Sequence, residues 1–202
     1  MRCSFFKIAL FLILMIFVRI SNAQLLDSLS LDTMQGFTSI QEAMKNPDAV
    51  IKLVLRKQHL KSFPKEILAF KNLQYLDLSK NDIKEIPDGI GVLTNLQYFS
   101  CFKSNVERLS KDIGQLSNLL YLNLNQNEIE YLPPQIGNLE KLEILDLWSN
   151  NFGEYPSSLA NLKSLKVLDL RAILMTDELQ NQVTGMLPKT KVYMSPSCKC
   201  KW

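Results

Sequence analysis

Apolar residues recur along most of this chain with a period too long for one helix or one strand. From Leu73 the order is Leu73-Gln-Tyr-Leu76-Asp-Leu78-Ser-Lys-Asn81-Asp-Ile83-Lys-Glu-Ile86-Pro87-Asp-Gly-Ile90-Gly91-Val-Leu93-Thr-Asn95, and Leu96 starts the pattern again, a period of 23 residues. Five copies begin at Val50, Leu73, Leu96, Leu119 and Leu142 without an insertion, and a truncated sixth begins at Leu165. The fourth position reads Leu53, Leu76, Phe99, Leu122 and Leu145, and the sixth reads Leu55, Leu78, Cys101, Leu124 and Leu147. A spacing of two predicts a short strand that buries alternate side chains. Units of equal length that cannot each bury an apolar face alone must stack on one another.

The remaining positions predict how each unit turns back onto the core. Position 9 is Gln58, Asn81, Ser104, Asn127 and Asn150. A column of such side chains can bond the backbone groups of the turn leaving each strand, which would otherwise be buried unpaired at about 1–3 kcal/mol each. Position 11 is Leu60, Ile83, Val106, Ile129 and Phe152, and proline stands at position 15 as Pro64, Pro87, Pro133 and Pro156. Proline opens a helical turn but cannot lie within one, so the outer face should be a single helical or 3-10 turn. Gly91, Gly114 and Gly137 follow the apolar position 18 and predict a tight turn there.

These residues resemble the leucine-rich repeats, LxxLxLxxNxLxxLPxxIGxLxN, in their 23-residue version, over residues 50 to about 175. With its N-terminal segment the whole chain is similar to small secreted bacterial proteins of that family. The resemblance implies an α/β solenoid: a right-handed superhelix with a parallel concave sheet, short helical or 3-10 convex turns, and helical caps at both ends. The third repeat departs most, with Phe99 and Cys101 in its strand, Ser104 and Asn105 around the amide column, and Ser110 where proline is expected. A solenoid exposes core and unpaired strand edges at its ends unless they are covered. Ser39-Ile40-Gln41-Glu42 is a capping-box pattern for a short helix that Pro47 ends. Thr176 caps a predicted helix of about Asp177 to Met186, Pro188 stops it, and Lys191 to Met194 adds a last strand. Gln24 to Thr38 is polar and mixed and predicts no element. The organisation is thus a signal segment at 1–23, an N-terminal segment and cap at 24–49, five repeats at 50–164, and a truncated repeat with its cap at 165–202.

The first 23 residues read as a secretory signal. Arg2 and Lys7 precede an apolar stretch from Ile8 to Val18, and Ser21-Asn22-Ala23 forms a small-x-small cleavage site. That stretch is short of the ~20 apolar residues of a spanning helix, and Arg19 closes it. The expected product begins at Gln24, is secreted or periplasmic, and has no membrane span. Cys3 precedes the apolar stretch and so cannot be a lipidated residue behind a cleavage box. The formal charge of +3 also belongs to this segment, because Arg2, Lys7 and Arg19 are unmatched by acids and the rest carries 20 basic and 20 acidic groups. A neutral chain gives no case for bulk nucleic-acid binding.

Nothing in the sequence supports catalysis: there is one histidine, His59, no glycine-rich phosphate loop and no nucleophile motif. No enzyme activity, cofactor or metal is expected. Outward-pointing residues of parallel strands stack into columns on the concave face. The third-position column holds Tyr75, Tyr98 and Tyr121; the fifth holds Asp77, Ser100, Asn123, Asp146 and Asp169; the seventh holds Arg56, Ser79, Phe102, Asn125, Trp148 and Arg171; the eighth begins Lys57, Lys80 and Lys103. Tyr75, Tyr98, Phe102, Tyr121, Asp146, Trp148 and Arg171 are the candidate partner-binding residues, exposed aromatics on a rigid sheet being common recognition anchors. The expected partner is a protein; the alternative is a carbohydrate stacked on the aromatic column of a cell-envelope protein. A tyrosine column also stabilises a sheet with no ligand present, whereas stability does not demand Phe102 or Trp148. Cys101 occupies a core column. Cys198 and Cys200 are read as a ragged terminus, a strained local bond, soft-metal ligands, or an intermolecular bridge on an otherwise monomeric chain.

Overall fold

The computed structural model describes residues 24–198. The expected signal segment and Cys200 lie outside the described residues. Each repeat contributes one three- or four-residue strand: β1 Lys52–Val54, β2 Tyr75–Asp77, β4 Tyr98–Ser100, β6 Tyr121–Asn123, β7 Ile144–Asp146 and β8 Val167–Leu170, followed by β9 Lys191–Met194. They form one parallel sheet in the order β1-β2-β4-β6-β7-β8-β9. Register runs Lys52, Tyr75, Tyr98, Tyr121, Ile144, Val167, so equivalent repeat positions are lateral neighbours. Fourth- and sixth-position side chains from Leu53 and Leu55 to Leu145 and Leu147 are fully buried in one continuous core. In the third repeat Phe99 is larger and Cys101 smaller than the leucines they replace, and both are buried, so the exchange keeps core volume. Burial pushes the Cys101 thiol up to about 12, which leaves it protonated and unreactive at neutral pH.

The amide column supplies what each strand-to-turn junction lacks. Asn127 Oδ1 accepts the Ser104 and Val106 N–H groups, while its Nδ2 donates to the Cys101 and Leu124 carbonyls. Asn81 does the same for Gln58, Leu60, Leu55 and Leu78. Ser104 does part of this work, its Oγ donating to the Leu78 carbonyl and accepting from Asn81 N–H.

Single 3-10 turns form the outer face, each flanked by proline at Lys65–Ala69, Pro134–Asn138 and Ser157–Asn161. In the second repeat the turn starts later, at Ile90, because Gly89 adopts a left-handed φ of 87°. Ser110 keeps the backbone of the proline it replaces, with φ −63° and ψ 146°. Its N–H donates to Ile86 O beside a second small sheet of β3 Glu85–Ile86 and β5 Arg108–Leu109, a bond proline could not make. Gly114 and Gly137 stand in the tight turns expected of them. They lie inside the 3-10 turns, and their requirement is lateral: an added Cβ would run into the backbone carbonyl of Gln135 or Ser158 in the next repeat.

Both ends are covered. α1 Ser28–Thr33 and α2 Ile40–Ala43 belong to the N-terminal cap, and the chain between them pairs Phe37 with the outer edge of β1. Ser39 caps α2 by accepting the Glu42 N–H at 3.4 Å, but the Glu42 carboxylate turns to Lys45 and does not close the box. α3 spans Asp177–Met186 with Thr176 as its N-cap and Val183 buried, and β9 follows it. Cys198 is tied down at its backbone, which donates to the Met175 carbonyl at 2.9 Å.

Candidate functional site

Third-, fifth- and seventh-position side chains share the concave face, as strand alternation requires. They are not equivalent there. Tyr75, Tyr98 and Tyr121 stack face to face, with centroids 4.1 and 4.6 Å apart and planes 3° from parallel. Burial pushes all three phenols above the ordinary tyrosine value, Tyr121 to about 12. The neutral form is therefore favoured in the folded state, so this contribution to stability is intact below pH ~10 and is lost as pH rises through the folded values. Stability followed by urea melts should drop between pH 10 and about 12, and Tyr98→Phe with Tyr121→Phe should flatten the drop; an equally steep fall in that variant would contradict it.

The segment 24–38, to which the sequence gives no element, forms α1 and docks beside this stack. Gln74 Oε1 accepts the Leu26 N–H and Gln74 Nε2 donates to the Gln24 carbonyl, while Gln97 Nε2 donates to the Leu26 carbonyl. Asp27 caps the helix start, accepting the Ser30 N–H at 2.9 Å, a bond that holds its carboxyl below the usual range. At the other end the Lys52 ammonium donates to the Leu31 and Asp32 carbonyls at 2.7 and 3.0 Å and sits 4.5 Å over the Tyr75 ring. A cation on the carbonyl end of a helix complements its dipole. Between α1 and the tyrosines lies a cleft of about 720 Å³ bounded by Asp27, Leu31, Asp32, Tyr98 and Tyr121. All three tyrosines thus share their surroundings with the chain's own N-terminal segment. The signals that hold α1 are the paired glutamines of the second-position column and Lys52, none of which reads as an anchor in the sequence.

The fifth-position column has an internal task. Sixth- and eighth-position N–H groups pair with the next repeat, as in Leu124 N–H to Asp146 O and Gln126 N–H to Trp148 O. The seventh-position N–H has no such partner, and a fifth-position side chain accepts it: Asp77 from Ser79, Asn123 from Asn125, Asp146 from Trp148, Asp169 from Arg171. Ser100 does not serve this way, and Phe102 N–H goes to Ser79 Oγ instead. Asp146 is half-buried and also accepts Asn125 Nδ2; burial raises its pKa against these bonds. Its carboxylate thereby fixes the backbone that carries Trp148.

The seventh-position residues look outward from this support. Phe102 lies under two cations, Arg56 at 4.8 Å and Lys80 at 5.4 Å from its centroid. Trp148 is half-buried and has no ring stacking or cation contact among the described residues. Arg171 is held by Asp169 through Nε and a terminal nitrogen, 2.6 Å at the shortest, and lies 5.5 Å over the Tyr193 ring. Tyr193 extends the aromatic set past the sixth repeat, since β9 pairs it with Asp169.

A family profile described as "Leucine-rich repeat region" matches residues 98–186, and one described as "Leucine Rich Repeat" matches residues 72–93. The matched residues carry the strand, asparagine and turn positions described above. The chain is a leucine-rich-repeat protein. Among solved structures, it is similar to a leucine-rich-repeat protein of Leptospira interrogans, with 31% identity and a TM-score of 0.64 over 82% of this chain and 49% of that one. It is also similar to the ectodomain of the Arabidopsis thaliana receptor kinase GASSHO1/SCHENGEN3, solved in complex with CASPARIAN STRIP INTEGRITY FACTOR 2. That match has 29% identity and a TM-score of 0.62 over 77% of this chain and 19% of the receptor chain. Internalin C2 of Listeria monocytogenes shares the fold at 23% identity, TM-score 0.60, over 72% of this chain and 62% of its own. This leucine-rich-repeat chain therefore spans about half the length of the Leptospira protein. No curated protein matches it. Leucine-rich-repeat proteins are generally binding modules and not catalysts, and no helix among the described residues is long and apolar enough to cross a membrane.

Proposed function

We propose that this chain is an exported, non-catalytic binding module that recognises a partner protein through its concave face, with Trp148 as the central anchor and Phe102, Tyr121, Asp146 and Arg171 around it. The observation that carries this reading is Trp148 itself. A large apolar ring stands half-open at a position that, Phe102 apart, holds serine, asparagine or arginine in the other repeats, on a backbone pinned by Asp146. Rigid aromatic anchors of that kind are typical of interaction hot spots. Support also comes from the receptor ectodomain of similar fold, which was solved in complex with CASPARIAN STRIP INTEGRITY FACTOR 2. Sugar stacking on the tyrosine column is disfavoured, because the stack already spends both faces of Tyr98 and one face each of Tyr75 and Tyr121. Export rests on the N-terminal signal pattern, and N-terminal sequencing of the processed chain should begin at Gln24.

Affinity capture on the immobilised chain, with the bound protein identified and its Kd then measured, tests the recognition claim. Trp148→Ala should weaken that Kd by about 30-fold, corresponding to roughly 2 kcal/mol for a true anchor. An unchanged Kd for Trp148→Ala, with folding intact by circular dichroism, would remove the concave face from the account.

A further inference from the structure

Resting on that reading, we propose that the upper rim of repeats one to three, where Lys57, Lys80 and Lys103 form a column next to Arg56 and Phe102, receives a short acidic segment of the partner protein. At the eighth position the backbone is left-handed in every repeat, with φ of 59° at Lys57, 59° at Lys80 and 52° at Lys103, and likewise at Gln126, Ser149 and Ala172. This conformation disfavours L-residues and is best tolerated by glycine or asparagine. The turn therefore does not ask for lysine. Stacking does not ask for it either, since neighbouring rungs lie ~4.8 Å apart and like charges at that spacing repel. All three lysines are exposed, and none forms an ion pair among the described residues.

Two of the cations are also held in place, and the group is nearly unopposed. Arg56 and Lys80 rest on the Phe102 ring, which limits the freedom they would lose on meeting an anion. Among the fifth-, seventh- and eighth-position residues of these repeats the one carboxylate is Asp77, which is buried, accepts the Ser79 N–H and lies 3.9 Å from Arg56. The positive stretch covers three rungs, roughly 10 Å. Further along the same face come Asn125, then Asp146 and Asp169, so a long polyanion laid along the sheet would meet carboxylates. A run of a few Asp or Glu side chains fits the length and the sign.

The test uses the full chain and a fluorescein-labelled peptide of alternating glutamate and leucine, read by anisotropy. The variant Lys57→Asn, Lys80→Asn, Lys103→Asn should bind this peptide about ten-fold more weakly at low salt, and its melting temperature should rise by about 3 °C as the left-handed turns lose their lysines. A matched lysine-leucine peptide should not bind. Unchanged affinity for the acidic peptide overturns the proposal, and so does a lower melting temperature, which would make the lysines servants of the fold. Tighter binding of an unstructured RNA oligonucleotide or a sulfated glycan than of the peptide would overturn it in favour of a polyanion site. If a captured partner is lost by Trp148→Ala but kept by the triple variant, the acidic segment alone is wrong; if both variants keep it, the underlying reading falls.

Discussion

Asn127→Ala should lower the stability of the chain by about 4 kcal/mol, a shift of roughly 10 °C in melting temperature. The side chain is buried and bonds two N–H groups and at least two carbonyls at the junction of the third and fourth repeats. Alanine removes every one of those partners while the backbone groups stay inside, each costing about 1–3 kcal/mol where water cannot follow. Losses above 4 kcal/mol are unusual for one substitution and mark a broken buried network. The size is distinguishable from simple cavity formation by Asn127→Ser, the residue the third repeat uses at Ser104. Its hydroxyl can bond one carbonyl and accept one N–H, as Ser104 does, so the serine variant should recover roughly half of the loss. Urea melts of the two variants check this, and equal losses would show that the hydrogen bonds are not what the column contributes.

Gly114→Ala should cost about 3 kcal/mol, at the upper end of overpacking penalties because the obstacle is backbone. An added methyl would meet the carbonyl and Cβ of Gln135, so relief requires the turn at Pro134–Asn138 to move away from its neighbour. In a stacked array that movement opens the interface on which both repeats depend. Gly153→Ala is the control: nothing lies within 4 Å of its added Cβ, and the change should gain or lose no more than about 0.5 kcal/mol. Chemical denaturation of both variants separates steric approach from the conformational freedom of glycine.

The solenoid is legible in the sequence because its causes are local or strictly periodic. Leu76 and Leu78 two apart, Asn81 three further on and Pro87 in the turn each state one physical requirement, repeated at a fixed interval. Even the irregular third repeat could be placed, since Phe99 and Cys101 keep the apolar columns. What the periodicity could not show arises between segments far apart in the chain. Gly114 reads as a turn former, and its constraint lies at Gln135. α1 has six residues and no apolar stripe of its own, and it is held by Gln74, Gln97 and Lys52 from other repeats. The aspartate column looks like a row of open charges, and the unpaired seventh-position N–H that occupies it becomes apparent only once the ladder is traced. For the candidate face, the sequence identifies which aromatics point inward. It also sets the repeating tyrosine column apart from Phe102 and Trp148, but it does not separate Phe102, which lies under Arg56 and Lys80, from Trp148, because that difference is one of contact and not of residue type.

Hydroxyl-radical footprinting of the captured complex reads whether the partner sits on the concave sheet. Phe102 and Trp148 lie on that face, and Tyr131, 62% exposed, lies on the turn side. Binding should suppress oxidation of Trp148 and Phe102 several-fold and leave Tyr131 unchanged. Protection of Tyr131 with no change at Trp148 would contradict this.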